Sequence, residues 1–287
     1  MSQDAHQRVT ALTTGKTRFK AVTFDLWQTL IFESEGASSM RSANRCQNVT
    51  ETLNKFGFGV SLKKVTLAIE ETINALLKLW DENKDVTHRD QLQSVVKYAL
   101  SDEVKLKKEW VPELSSAYIS SLFEIPPYLN LDAKKTLQWL QKQNMHIGLI
   151  CNTGITPGFA LRRFLSQIGI AEFFDSMIFS DEIGIRKPDP RIFRLAAKKL
   201  KTKSHEAIHI GDNLKTDVWG AKNAGFRAIH FASEEGRDKL TENDPASYLS
   251  RSRNLGKIGK QKLMPDATVN SLAMASKTIE KLKDLSK

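Results

Sequence analysis

The stretch Lys20–Leu30, KAVTFDLWQTL, decides how this chain is read. Val22 and Phe24 have the β-branched and aromatic character of a buried strand, and the apolar run ends on one acid, Asp25. Behind the acid come Leu26, Trp27, Gln28, the hydroxyl of Thr29, and Leu30. A carboxylate at the C-terminal end of a strand stands where open α/β sheets take their ligands. One such Asp is a weak signal, and its weight depends on what ends the other strands.

On the far side of Asp25 the texture changes. From about residue 34 to 125 the pattern is helical: Leu62, Val65, Ile69, Ile73, Leu76, Leu77 and Trp80 recur at three- and four-residue steps. Thr87 with Asp90 reads as a capping box opening a further helix, and Pro126-Pro127 stops the block. From Asp132 strands and helices alternate. Strands are expected at Met145–Cys151, about 177–180, Ala207–Gly211 and about Arg227–Phe231, with helices between them. Thr156 before Pro157, and Asp189 before Pro190, read as N-caps followed by a first-turn proline. This alternation predicts right-handed βαβ units and a mostly parallel α/β sheet. A final helix is expected over about 268–285.

Each expected strand of the core ends in polar residues. Asp25 and Thr29 follow the first strand, and Cys151-Asn152-Thr153-Gly154 follow the second. Arg186-Lys187-Pro188-Asp189-Pro190 comes next, and Gly211-Asp212-Asn213 with Asp217 comes last. In this order and spacing the set resembles the haloacid dehalogenase-like (HAD) superfamily of hydrolases. FDLWQTL, ICNTG, the lysine of IRKPDP, and IGDNLKTDVWGAKNAG stand for its four motifs. The resemblance covers roughly 19–33 and 126–231, and PDATVNSL near 265–272 fits the usual closing helix.

The resemblance implies a doubly wound parallel sheet of order 3-2-1-4-5, a HAD-like Rossmannoid core, with an inserted all-helical cap of the family's first type. The expected organisation is a flexible tail at 1–18, a core at 19–33 and 126–287 containing a basic loop at 232–263, and the cap at 34–125. It also implies roles. Asp25 would be a nucleophile forming an aspartyl phosphate. Asp25, Asp212, Asp217 and the backbone carbonyl of Trp27 would hold Mg²⁺, the usual choice of hard oxygen ligands at a phosphate site. Lys187 would neutralise Asp25 and the transferring phosphoryl group. Thr29, Cys151, Asn152 and Thr153 would line the phosphate pocket, with backbone amides before the Pro157 helix assisting.

The chain departs from the family at two places. Cys151 stands where a hydroxyl usually faces the phosphate, and a thiol is a poor donor. Trp27 stands where phosphatases of this family carry a second Asp as general acid and base, help worth ~10²–10⁴ in rate. Three functions are therefore weighed. The first is a Mg²⁺-dependent phosphatase acting on a small phosphorylated substrate. The second is a 2-haloacid dehalogenase, whose halide leaving group needs no proton and whose acid substrate Arg41 or Arg45 could hold. The third is a catalytically weak or inactive binding or regulatory protein on the same fold. Otherwise Arg41 and Arg45 are surface helix residues, and His88, Trp80 and Tyr98 are packing or surface residues.

The gross numbers bound these readings. The 287 residues, 40% of them apolar, suffice for a real core, and a net charge of +10 suits anionic ligands. Arg251, Arg253, Lys257, Lys260 and Lys262 form a basic run, but with Tyr248 as the one aromatic nearby it does not favour nucleic acid. Two cysteines, Cys46 and Cys151, suggest neither a disulfide framework nor a zinc site. With no apolar run near ~20 residues, membrane spanning is not expected and a cytoplasmic protein is the default. The oligomeric state is open.

Overall fold

A computed structural model describes residues 19–233 and 264–284. The expected tail at 1–18 and nearly all of the basic loop lie outside the described residues.

In chain order, β1 (Ala21–Phe24) is followed by the short β2 (Ile31–Phe32). Four helices follow: α1 (Ala37–Lys55), α2 (Leu62–Asp81), α3 (His88–Ala99) and α4 (Val111–Glu124). The chain re-enters the core through β3 (Tyr128–Leu129), which pairs antiparallel with β2. A two-stranded ribbon therefore frames the entry and exit of the helical insert. The core continues with α5 (Ala133–Lys142), β4 (His146–Cys151), α6 (Gly158–Gln167), β5 (Ser176–Phe179), α7 (Ser180–Ile183) and α8 (Pro190–Lys199). It closes with β6 (Ala207–Gly211), α9 (Gly220–Asn223), β7 (Arg227–Phe231), β8 (Ala267–Val269) and a C-terminal helix, Ala275–Asp284.

The sheet runs β5-β4-β1-β6-β7-β8, all pairs parallel. This is the 3-2-1-4-5 order with a sixth strand added. β1 is central and buried on both faces, which is why its sequence reads as a continuous apolar run rather than an alternation. Phe24 pairs with Leu149 on one side and Ile210 on the other. That register brings Asp25, the Cys151-Asn152 segment and Asp212 out at one edge of the sheet.

The local signals mostly act as the residues predict. Ser61 accepts from the Lys64 amide to start α2, and Thr87 with Asp90 forms the capping box of α3. The α2 stripe Val65, Ile69, Ile73 and Leu76 is buried, whereas Leu62 at its start is exposed. Two expectations fail. α6 begins at Gly158, and Pro157, not Thr156, is its N-cap position; Asp181 binds the Gly158 amide through both oxygens at 3.1 Å. The C-terminal segment is not helical from 268: Ala267–Val269 pairs with β7, and the helix starts at Ala275. Its β-branched Thr268 and Val269 suit an edge strand, and Val269 is buried. Among the described residues no helix is long and apolar enough to cross a membrane.

Candidate active site

Asp25 leaves β1 with its backbone amide bonded to the Ile210 carbonyl (2.9 Å), which ties it to the β6 end that carries Asp212. The chain then turns tightly. The amides of Leu30 and Ile31 both bond the Leu26 carbonyl, and Gln28 adopts a left-handed φ of 61°. Trp27 is half-buried in this turn, with the Arg41 guanidinium 5.9 Å from its ring centroid. Thr29 is fully buried, and its hydroxyl has no hydrogen-bond partner.

The Lys187 ammonium lies between two carboxylates, 2.5 Å from Asp25 Oδ1 and 2.7 Å from Asp217 Oδ1. Its backbone is fixed by Asn152, whose amide donates to the Lys187 carbonyl (2.9 Å) and accepts from the Lys187 N–H (2.8 Å). Asp217 sits in a short π-helical segment, Leu214–Trp219, opened by the Asn213 side chain, which accepts from the amides of Lys215 and Thr216. Asp217 Oδ2 in turn accepts from the Asn213 amide at 2.9 Å. Gly211 makes this fold-back possible: a Cβ there would lie 2.4 Å from Asp217 Cγ. Gly220 does the same for helix packing, since a Cβ would lie 2.9 Å from Pro188 Cα, next to Lys187.

Behind Asp217 stands His209, buried in β6 and paired across the sheet with Thr23. Burial holds this imidazole below its usual pKa. A neutral ring satisfies both neighbours: Nδ1 accepts from the Thr23 hydroxyl (2.9 Å), and Nε2–H donates to Asp217 Oδ1 (3.2 Å). The electrostatics differ between the two acids. Burial pushes Asp25 up to about 6, against the pull of Lys187 and with the help of Asp217's charge. Asp217 is also buried, but Lys187 and His209 outweigh that and hold it below the usual carboxylate range. The two carboxylates outweigh burial at Lys187 and hold it charged.

Carboxylate oxygens of Asp25, Asp212 and Asp217 all lie within 4.8 Å of one another. Three carboxylate oxygen donors at one sheet edge fit a hard divalent cation. Cys151 is fully buried, and burial pushes its thiol well above the usual range, which disfavours the thiolate form. The Thr153 hydroxyl bonds Asp85 Oδ2 (3.3 Å) and Ser180 Oγ (3.1 Å).

The model of haloacid dehalogenase-like hydrolases matches residues 19–225. The chain belongs to this hydrolase family. Among its relatives, the glyceraldehyde 3-phosphate phosphatase of Methanopyrus kandleri is 30% identical over 82% of this chain and 95% of its own. That of Pyrococcus furiosus is 29% identical over 75% and 81%. Of solved structures, a 2-haloacid dehalogenase from Pseudomonas syringae pv. Tomato superposes with a TM-score of 0.64 at 23% identity, covering 92% of this chain and 99% of that one. At that identity the likeness concerns the fold.

Within this HAD-like hydrolase the two arginines of α1 are not surface residues. Arg41 is buried, pairs with Glu33 and donates to the Ile125 carbonyl (2.8 Å), joining the two ends of the helical insert. Arg45 is buried as well, donating to the Tyr118 carbonyl (2.8 Å) and to Thr156 (3.4 Å). Sequence reasoning missed His209, Asp181 and the Asp85–Arg186 pair. The one local sign of His209 is a polar residue inside the otherwise apolar run of β6. The Asp181–Gly158 and Asp85–Arg186 contacts join residues 23 and 101 positions apart, and no local pattern pairs them.

Proposed function

We propose that this HAD-like hydrolase is a Mg²⁺-dependent phosphatase of small phosphorylated metabolites, working through an aspartyl phosphate on Asp25. The observation that carries the reading is the cluster of Asp25, Asp212 and Asp217 oxygens within 4.8 Å, with the Lys187 ammonium against two of them. Such a cluster suits a reaction in which an anionic nucleophile meets an anionic substrate. Asp25, Asp212, Asp217 and the Trp27 carbonyl would hold the cation, which lowers the repulsion between carboxylate and phosphate. The names of the phosphatase relatives support the substrate class.

Lys187 favours the ionised form of Asp25, though burial outweighs it and leaves the carboxyl at about 6. Ionised, an Asp25 oxygen bonds phosphorus as the ester oxygen leaves. Water then cleaves the acyl phosphate, releasing phosphate and restoring the carboxylate. Lys187, touching Asp25, also faces the phosphoryl charge as it develops. Trp27 carries no acidic proton, so the leaving oxygen draws its proton from water, and turnover of alkyl phosphates is slow relative to esters of acidic alcohols.

The dehalogenase reading is weakened at its substrate anchor. Arg41 is committed to Glu33 and Ile125, and Arg45 to Tyr118 and Thr156. The deciding experiment is a panel of phosphate esters and 2-haloacids, with and without Mg²⁺, run on the wild type and Asp25→Asn. Metal-dependent phosphate release lost in Asp25→Asn is the expected result. Halide release without metal would overturn it.

A further inference from the structure

One carboxylate of the helical insert is buried in the core beside the catalytic lysine. Asp85 follows α2, and its side chain is 0% exposed. Every lone-pair direction is used. Oδ1 accepts from Trp80 Nε1 (3.1 Å) and the Val86 amide (2.9 Å). Oδ2 accepts from Ser180 Oγ (2.6 Å), Arg186 Nη1 (2.5 Å) and Thr153 Oγ1 (3.3 Å). The first two donors belong to the insert and the last three to the core. The backbones join here too: Asp85 N–H donates to the Gly184 carbonyl (3.2 Å), and Arg186 N–H to the Asn83 carbonyl (3.0 Å).

The core partners are the immediate neighbours of site residues. Arg186 precedes Lys187, and its Nη1 also donates to the Thr153 carbonyl at 2.5 Å. Thr153 follows Asn152, which clamps the Lys187 backbone from both sides. The Thr153 amide is held by Ser180 Oγ (2.8 Å), and the Trp80 ring covers the Arg186 guanidinium at 4.2 Å. Asp85 thus ties together the loops after β4 and β5, the two that together fix Lys187 against Asp25.

We infer that Asp85 is a positioning residue: seated in the core, it couples the placement of the helical cap to the alignment of Lys187 with Asp25. The inference rests on the catalytic reading of Lys187 for its kinetic consequence, but its structural consequence can be measured without any substrate. A cap lifted from the core removes the anion from Arg186, Ser180 and Thr153 together. The loops they belong to then lose their common anchor, and Lys187 loses its alignment.

The test is Asp85→Asn, which keeps the shape and removes the charge, with Trp80→Phe as a milder variant that keeps the ring over Arg186 but removes the Nε1 donor. Hydrogen exchange is followed in peptides spanning 152–154 and 185–188. Activity is followed on the best ester found for the wild type. Exchange at the Thr153 and Lys187 amides is expected to rise in both variants. kcat is expected to fall by about tenfold or more in Asp85→Asn and by less in Trp80→Phe, with KM within about twofold, as for a misplaced rather than missing catalytic group. Retained protection of both amides in Asp85→Asn overturns the inference. So does an unchanged kcat, or a kcat loss that thermal unfolding shows to track the unfolded fraction. If the wild type hydrolyses no ester, it is the phosphatase reading that fails, and the exchange result alone decides the role of Asp85.

Discussion

The Lys187 ammonium sits 2.5 Å from Asp25 Oδ1, with both side chains drawn out of solvent. A residue 162 positions away thus supplies the charge that offsets the burial of Asp25. Burial still dominates, and the Asp25 carboxyl ends at about 6 rather than in the usual carboxylate range. A carboxylate raised in the folded state binds more protons there than in the unfolded chain. Stability from this group is therefore present at low pH and is lost as pH rises from about 4 through about 6.

Replacing Asp25 by Asn removes the proposed nucleophile and this penalty together. In metal-free buffer at pH 8, Asp25→Asn is expected to be more stable than the wild type, by on the order of 1–3 kcal/mol, while its phosphatase activity is abolished. Urea unfolding at pH 4 and pH 8 checks the first half; the difference should shrink at the lower pH.

Trp27→Asp restores a proton carrier two residues from Asp25. Turnover of alkyl phosphates is expected to rise by about tenfold or more, with a smaller gain for aryl esters that leave readily. A folded Trp27→Asp protein with no gain on alkyl esters counts against the phosphatase reading.

Gly211→Ala tests the packing of the fourth strand end. The added methyl would stand 2.4 Å from Asp217 Cγ, so Asp217 must move. The expected cost is about 1–3 kcal/mol in denaturant unfolding, with loss of Mg²⁺-induced stabilisation in a thermal shift assay. Asp212→Asn is expected to lose the metal response while keeping wild-type stability in metal-free buffer.

His88 gives the molecule an acid-labile element. Its ring is packed against Tyr118 and Phe159 and bonded to Ser115 Oγ (2.8 Å), and burial, aided by the Arg45 charge, lowers its pKa to about 4. The unfolded chain takes up this proton near pH 6.5 and the folded chain only near 4, so stability is lost as pH falls across that window. The loss amounts to about 2–3 kcal/mol. His88→Gln should flatten this limb of the stability–pH curve, measured by chemical denaturation.

The sequence by itself indicated the core strands β1, β4, β5, β6 and β7, the helical block between β1 and β4, and the polar residues that meet at the candidate site. KAVTFDLWQTL, ICNTG and IGDN each place a polar residue at a strand end, and a parallel sheet aligns such ends by hydrogen-bond register; IRKPDP lies beyond α7, and Asn152 holds Lys187 in place from the neighbouring strand end. Local rules also served where the interaction itself is local, as at Ser61 and in the Thr87–Asp90 capping box. They failed at Thr156, because the α6 amide found a better acceptor in Asp181, and at residues 267–269, because an open sheet edge was available to pair. Only the tertiary structure decided that Arg41 and Arg45 are buried and bonded, that His209 stands behind Asp217, and that Asp85 enters the core beside Lys187. The physical reason is that a charged side chain carries no sequence mark of its burial. Water or a distant partner can satisfy it equally, and the choice is made only when the chain closes on itself.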